Sequence, residues 1–426
     1  MIRVERLTAE SSGRLLSRRS LLEGPALEAA RAILREFRAD PDGTLLRLAR
    51  QFDGAELDRL EVAPAEMDGA EKSVPQDVRS AILSMRDSVA RYHRVEIPKE
   101  FEIEPIPGVV LGRRVVPFER AGLYVPGGLA PYPSSVVMGA VPAAVAGVKE
   151  IVLCTPPTSR GTVPAAVLFA ARVCGVSRVF KTGGAQAVFA MAYGTPTIPR
   201  CDVVVGPGNL YVTAAKSLVR DDVAIDFLAG PSEILVVSDG EAPARFIAAD
   251  LLGQAEHGPD ALCVLVTTSR AQAEEVVREL EGQWAACGRA AVIREALTRQ
   301  GAVLVADSLD EAAAFADAFA AEHLVIATRR PLEVFRKIRN AGSVFLGDCT
   351  PVAAGDYGAG PNHILPTLGE ARRRGGVGVE TFLKRISYQR LSREGLGRIA
   401  PMAAALARAE GLDAHGRSIE VRLGGP

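Results

Sequence analysis

From about residue 109 the chain alternates short β-branched runs with alanine-rich segments, and it does so in two successive series. The first holds IVLCTPP at 151–157, VPAAVLFAARVCG at 163–175, RVFKTGG at 178–184 and CDVVVGPGN at 201–209. The second holds EILVVSD at 233–239, ALCVLVT at 261–267, AVLVA at 302–306, HLVIA at 323–327 and SVFLG at 343–347, with helical stretches over 242–256, from 271, over 310–320 and from 331. Such alternation predicts parallel sheets covered by helices, an α/β fold with two units in tandem, 109–232 and 233–365. Residues 1–108 show helical periodicity at 26–37 and 76–91 without strand runs, and read as a helical lead-in. After Pro366 the pattern loosens into RRRGGVG and ends in short helical pieces; this tail, 366–426, has little apolar surface of its own and must dock on its own body or on a partner subunit. No residue-level repeat links the two units.

Composition excludes several classes. Lys plus Arg number 50 against 51 Asp plus Glu, so the formal charge of −1 provides no field to gather nucleic acid or anionic lipid. The start MIRVERLTAE has no basic head followed by an apolar core, and the longest apolar run, 136–148, is interrupted by Gly139 and Pro142, so neither export nor membrane spanning is expected. Six cysteines, at 154, 174, 201, 263, 287 and 349, form no CxxC pair, and several lie in apolar runs. Reduced, mostly buried thiols of this kind fit the cytoplasm.

The chain has five histidines, His93, His257, His323, His363 and His415, and four of the five fall in polar, turn-rich text, where core histidines would be out of place. Asp250, Gln254 and His257 follow at i, i+4 and i+7 and share one helix face, stopped by Gly258-Pro259. Gln254 and His257 can share a ligand there, or His257 can simply answer the helix dipole while Gln254 faces solvent. Asp356 stands among glycines 355, 358 and 360, either brought close to a site by a sharp turn or bonding its own backbone as an Asx turn. His363 in the same loop can bind metal or be a hydrogen-bonded loop residue. Glu322 and His323 precede the strand LVIA and can serve one site only if the pair lies in the turn before it, or His323 can be a plain dipole partner at the end of a helix. Glu410 and His415, near the C-terminus, are either exposed and idle or ligands supplied to a site built elsewhere. Glycine clusters at 125–135, 182–187 and 205–212 suit a phosphate at a helix start, yet none spells GxGxxG and Pro207 removes an amide donor.

Taken in order, Gln254-His257 in QAEHGPD, Glu322-His323 in AEHL, Asp356 in GDYGAGPNH and the terminal Glu410 and His415 resemble histidinol dehydrogenases over essentially the whole chain. The resemblance implies one Zn2+ per subunit on Gln254, His257, Asp356 and His415, the last from the neighbouring subunit of an intertwined homodimer whose small tail domains swap. It implies substrate contacts at Ser232, Gln254, His257, His323, Asp356, Glu410 and His415, with histidinol as substrate. It implies NAD contacts at Tyr124, Gln186 and Asn209, in the first of two incomplete Rossmann-like units, which agrees with the missing fingerprint. The second unit would carry the zinc ligands and the Glu-His pair.

Two imidazoles, one carboxylate and one carboxamide make a borderline N/O set suited to zinc. A neutral histidine near physiological pH suits removal of an alcohol proton as hydride leaves, and that role is expected of His323. Oxidation onward to the acid needs water added to the aldehyde, and Glu322 is the expected activator. A thiohemiacetal route has no support, because Cys349 has no evident base beside it. Rival readings are a same-scaffold dehydrogenase of a sulfonated diol, a zinc hydrolase and a module with structural zinc. The first calls for a facing Arg or Lys, the second for an open metal position without nucleotide, and the third for a thiolate cluster that the sequence lacks.

Overall fold

The computed structural model describes residues 2–17, 24–127 and 130–424. Before the first parallel unit the chain lays down strand β1 (Val4–Arg6), helices that include Pro25–Ala39 and Gln76–Val95, and the hairpin β2 (Phe101–Ile106) and β3 (Val109–Pro117). The first parallel sheet comprises β4 (Arg120–Tyr124), β5 (Glu150–Thr155), β6 (Arg178–Lys181), β7 (Val203–Val205) and β8 (Ala224–Ile225), in the order β6-β5-β4-β7-β8. The second comprises β9 (Glu233–Ser238), β10 (Leu262–Thr267), β11 (Gly301–Val305), β12 (His323–Ala327) and β13 (Ser343–Leu346), in the order β11-β10-β9-β12-β13, with β1 added beside β11. Numbered within its own unit, each sheet therefore runs 3-2-1-4-5, the strand order of a Rossmann sheet without its sixth strand. The duplication that residue identities did not reveal is plain in the topology.

Both faces of these sheets are covered, which explains their unbroken apolar spelling. In the first sheet Leu123, Leu153, Val179 and Val205 face the helices Pro133–Ala146 and Ala165–Val173, while Val152, Phe180 and Val204 face Pro25–Ala39, Gly184–Tyr193 and Leu210–Val219. The second repeats the arrangement, Val236 and Leu265 on one side, Leu235 and Val264 on the other. Each fully buried aliphatic side chain of this kind is worth about 1.5–3 kcal/mol.

Three expectations need correction. The lead-in is not purely helical: β1 pairs with β11 in parallel, Val4 against Val303, a three-residue strand too short to show periodicity. The first parallel sheet starts at Arg120, not 109, because β3 belongs to an antiparallel sheet with β2 and a late strand β14 (Leu383–Leu391). The tail is more ordered and more apolar than its text suggests. β14 has no buried residue, so no alternation marked it, and it is followed by the seventeen-residue helix Arg393–Ala409 and by Asp413–Leu423. Met402, Leu406, Leu412 and Val421 are exposed on this helical pair, and Ile386 on β14.

Candidate active site

The helix Leu309–Phe319 ends on Ala320 in the left-handed conformation, and the turn so made carries Glu322 just before β12 opens at His323. The condition for both side chains to serve one site is thus met. The two residues are 7% and 4% exposed. Glu233, heading the adjacent strand β9, holds both through its main chain: its N–H donates to Glu322 Oε2 at 2.6 Å, and its carbonyl lies 3.0 Å from His323 Nδ1. A carbonyl only accepts, so Nδ1 carries a hydrogen and Nε2 is the nitrogen left to exchange a proton. Nε2 has no hydrogen-bond partner and sits 3.7 Å from Asp356 Oδ1, while Nδ1 is 3.5 Å from Glu322 Oε2. Burial would lower the pKa of His323, but Glu322 and Asp356 outweigh it and push it up to about 10.

Asp356 lies in the π-helical turn Gly355–Ala359, and among the described residues its carboxylate accepts from no backbone amide, so the Asx-turn reading falls. Burial works to raise its pKa, yet the imidazoles of His323, His363 and His257 hold it below the usual range. His363 Nδ1 is 3.0 Å from the carbonyl of Asp356, the geometry of a hydrogen-bonded loop residue. The helix Ala244–Ala255 is drawn to this turn by Asp250, which accepts from the amide of Val352. Gln254 near its end is 2% exposed with Nε2 unpartnered, so it does not face solvent. His257 is exposed just beyond, close enough for its charge to act on Asp356. Ser232 is half-buried immediately before β9. Glu410 and His415 are exposed on the tail, and no side-chain bond joins them to this group among the described residues.

The three nucleotide candidates cluster on the first sheet, where strand order reverses between β4 and β7 and α/β sheets open a crevice at their carboxyl ends. Tyr124 ends β4, and its hydroxyl accepts from the amide of Gly184 at 3.2 Å; burial pushes this phenol up to about 12. Gln186, 3% exposed, stands in the helix Gly184–Tyr193. Asn209 caps the helix Leu210–Val219 by accepting from the amides of Tyr211 and Val212, which leaves its NH2 for a ligand. Gly128 and Leu129 of the 125–135 glycine cluster lie outside the described residues.

Sequence reasoning passed over Glu233, whose contribution is a main-chain clamp; the one signal was a carboxylate heading an apolar run in SEILVV. Thr367, 1% exposed, accepts from Gly230 N–H ahead of that clamp and was equally silent. The six cysteines are free, and burial pushes Cys174, Cys201 and Cys263 up to about 12, so these carry no thiolate. Among the described residues no three His, Cys, Asp or Glu side chains already converge on a metal position. The donor chemistry nevertheless fits one: the Asp356 carboxylate feels the imidazoles of His323, His363 and His257, and the buried carboxamide of Gln254 stands one helical turn before His257.

Two Rossmann-order sheets and a buried, backbone-clamped Glu-His pair define a two-unit α/β enzyme of the dinucleotide-linked oxidoreductase class. A sequence model of histidinol dehydrogenase matches residues 16–423. Histidinol dehydrogenases of Methanothermobacter thermautotrophicus and Xanthomonas axonopodis pv. citri are 46% and 48% identical, over 92% and 93% of this chain and 92% of each relative. A crystal structure of histidinol dehydrogenase from Elizabethkingia anophelis superposes with a TM-score of 0.94 at 36% identity, covering 99% of this chain and 97% of that one. The chain belongs to the histidinol dehydrogenase family, and it is an NAD-dependent oxidoreductase that acts on an alcohol and then on an aldehyde. Membership does not favour the sulfonated-diol or hydrolase readings. Among the described residues no helix is long and apolar enough to cross a membrane.

Proposed function

We propose that the chain oxidises L-histidinol through L-histidinal to L-histidine, closing histidine biosynthesis in the cytoplasm and consuming two NAD. The observation that carries this reading is the fixed tautomer of His323: with Nδ1 committed to the carbonyl of Glu233, the buried Nε2 is left without a hydrogen-bond partner 3.7 Å from Asp356 Oδ1. When bound, zinc would fix the amine and imidazole nitrogens of the substrate, and NAD would accept hydride. Gln254, His257 and Asp356 would hold the metal together with His415 of the partner subunit. Ser232 and the partner subunit's Glu410 would contact the substrate, and Tyr124, Gln186 and Asn209 the dinucleotide.

His323 Nε2 takes the hydroxyl proton in the first oxidation. A base must be neutral to do so, and positive charge at Asp356 cancels one of the two carboxylates that hold His323 protonated. Glu322, its Oε2 anchored by Glu233 N–H, takes a proton from the water that adds to the aldehyde; the hydrate then loses its second hydride and proton to become the acid. A dimer that exchanges tails is supported by the exposed apolar residues of the helical pair and by the lack, among the described residues, of any side-chain bond from the exposed His415 to the other donors.

Adding histidinol to the zinc-loaded protein with NAD should yield two NADH and one histidine per histidinol, followed by NADH absorbance and amino-acid analysis. Histidinol left intact with NAD present, or turnover indifferent to NAD, would overturn the reading.

A further inference from the structure

A buried ion pair that the chemistry above does not use stands where the first sheet hands over to the second. Lys216, on the helix Leu210–Val219, and Asp226, just after β8, have side chains only 2% and 1% exposed. Lys216 Nζ donates to Asp226 Oδ1 at 2.5 Å and to the carbonyl of Gly206 at 2.6 Å. Asp226 accepts in turn from the amide of Gly206 at 2.8 Å and from that of Phe227 at 2.7 Å. Both backbone polar groups of Gly206 are therefore bonded to the pair. Gly206 has φ +131°, and a Cβ there would stand 2.0 Å from the carbonyl oxygen of Tyr124, so the pair presses the turn Gly206–Asn209 onto the end of β4. Asp226 is itself a fixed point: its carbonyl accepts from Arg374 at 2.5 Å, and Thr213 Oγ1 donates to Ala229 a little further on.

Burying two charges costs desolvation that two apolar side chains would avoid, so stability is a weak account of this pair. What apolar side chains could not do is bond both the N–H and the carbonyl of one glycine. We propose that Lys216 and Asp226 are positioning residues for the dinucleotide: they hold the Gly206–Asn209 turn against Tyr124 so that the crevice between β4 and β7 is formed before NAD arrives. The inference rests on reading that crevice as the NAD site.

The test is equilibrium NAD binding by calorimetry, which needs no turnover, with the KM for histidinol measured alongside on the zinc-loaded enzyme. Lys216→Met/Asp226→Asn removes both charges together, so neither is left buried and alone. It should weaken NAD binding roughly tenfold or more while the KM for histidinol moves by less than about twofold, the pattern of a lost nucleotide contact surface. Should that variant not fold, Lys216→Gln/Asp226→Asn serves, because its two neutral amides can still bond each other while the charged hold on Gly206 is lost. Unchanged NAD affinity, or a parallel loss of NAD and histidinol binding, overturns the positioning role. Tyr124→Phe and Asn209→Ala separate the two readings. If they leave NAD affinity intact, the crevice is not the nucleotide site; if they weaken it and the Lys216 variants do not, the positioning inference alone fails.

Discussion

His323 uses its two ring nitrogens for different ends, and a substitution can part them. An asparagine keeps a donor near the position of Nδ1, able to reach the carbonyl of Glu233, and offers nothing in place of Nε2. His323→Asn is therefore expected to lower kcat roughly a hundredfold or more, the usual worth of a general base, with histidinol affinity changed only a few-fold. Unaltered kcat in steady-state assays removes His323 from the chemistry. Glu322→Gln preserves an acceptor for Glu233 N–H but cannot take a proton from water. It should slow oxidation of added histidinal more than oxidation of histidinol, and equal slowing of both counts against a role in hydration. At this scale the sequence marked the pair as a candidate but left His323 equally readable as a helix-dipole partner; its burial and its bond to the Glu233 carbonyl came only with the fold. The main-chain clamp of Glu233 was not legible, because every residue carries the same N–H and carbonyl.

The strands and helices singled out in the parallel units agree with the structure to within a residue or two at most ends, because burial on both faces imposes an apolar spelling that solvent-facing elements escape, although β4 and the two-residue β8 went unread. β14, lacking buried positions, had no such spelling to read. A different kind of element sits ahead of the crevice, the π-helical turn Ala49–Asp53, which closes on Gly54. Burial pushes the Asp53 carboxyl up to about 6, and its charge acts on Tyr124. A folded pKa above the unfolded one means that the native state favours the protonated acid. This contribution to stability is complete below about pH 4 and disappears as pH rises through about 6. Asp53→Asn abolishes that dependence. Denaturant unfolding without nucleotide should show the variant gaining on the native chain by about 1–2 kcal/mol between pH 4 and 7.5, a figure reduced for the partial exposure of the carboxyl. A gap that stays constant across this range would show that Asp53 titrates normally.

As a whole molecule, the chain brings His257, one turn past Gln254, within electrostatic reach of Asp356 and leaves His415 and Glu410 exposed on the tail, where Met402 and Leu406 are also bare. If the tail completes the site of a second copy, an inactive His415→Ala chain mixed with an inactive Glu322→Gln chain regains one complete site in each hybrid dimer. Random exchange should then restore about a quarter of native histidine formation, and none after proven subunit exchange would show that the site is not shared. The amino-acid sequence alone determined the α/β class, the two tandem units and the motifs that mark an alcohol-oxidising zinc and NAD family, because apolar periodicity and short motifs are written over a few neighbouring residues. Only the tertiary structure decided the shared 3-2-1-4-5 strand order, the burial of Gln254, the tautomer of His323 and the Lys216–Asp226 clamp on Gly206. Each of these depends on groups remote in the chain, or on backbone atoms common to all residues, and such meetings leave no local trace in the spelling.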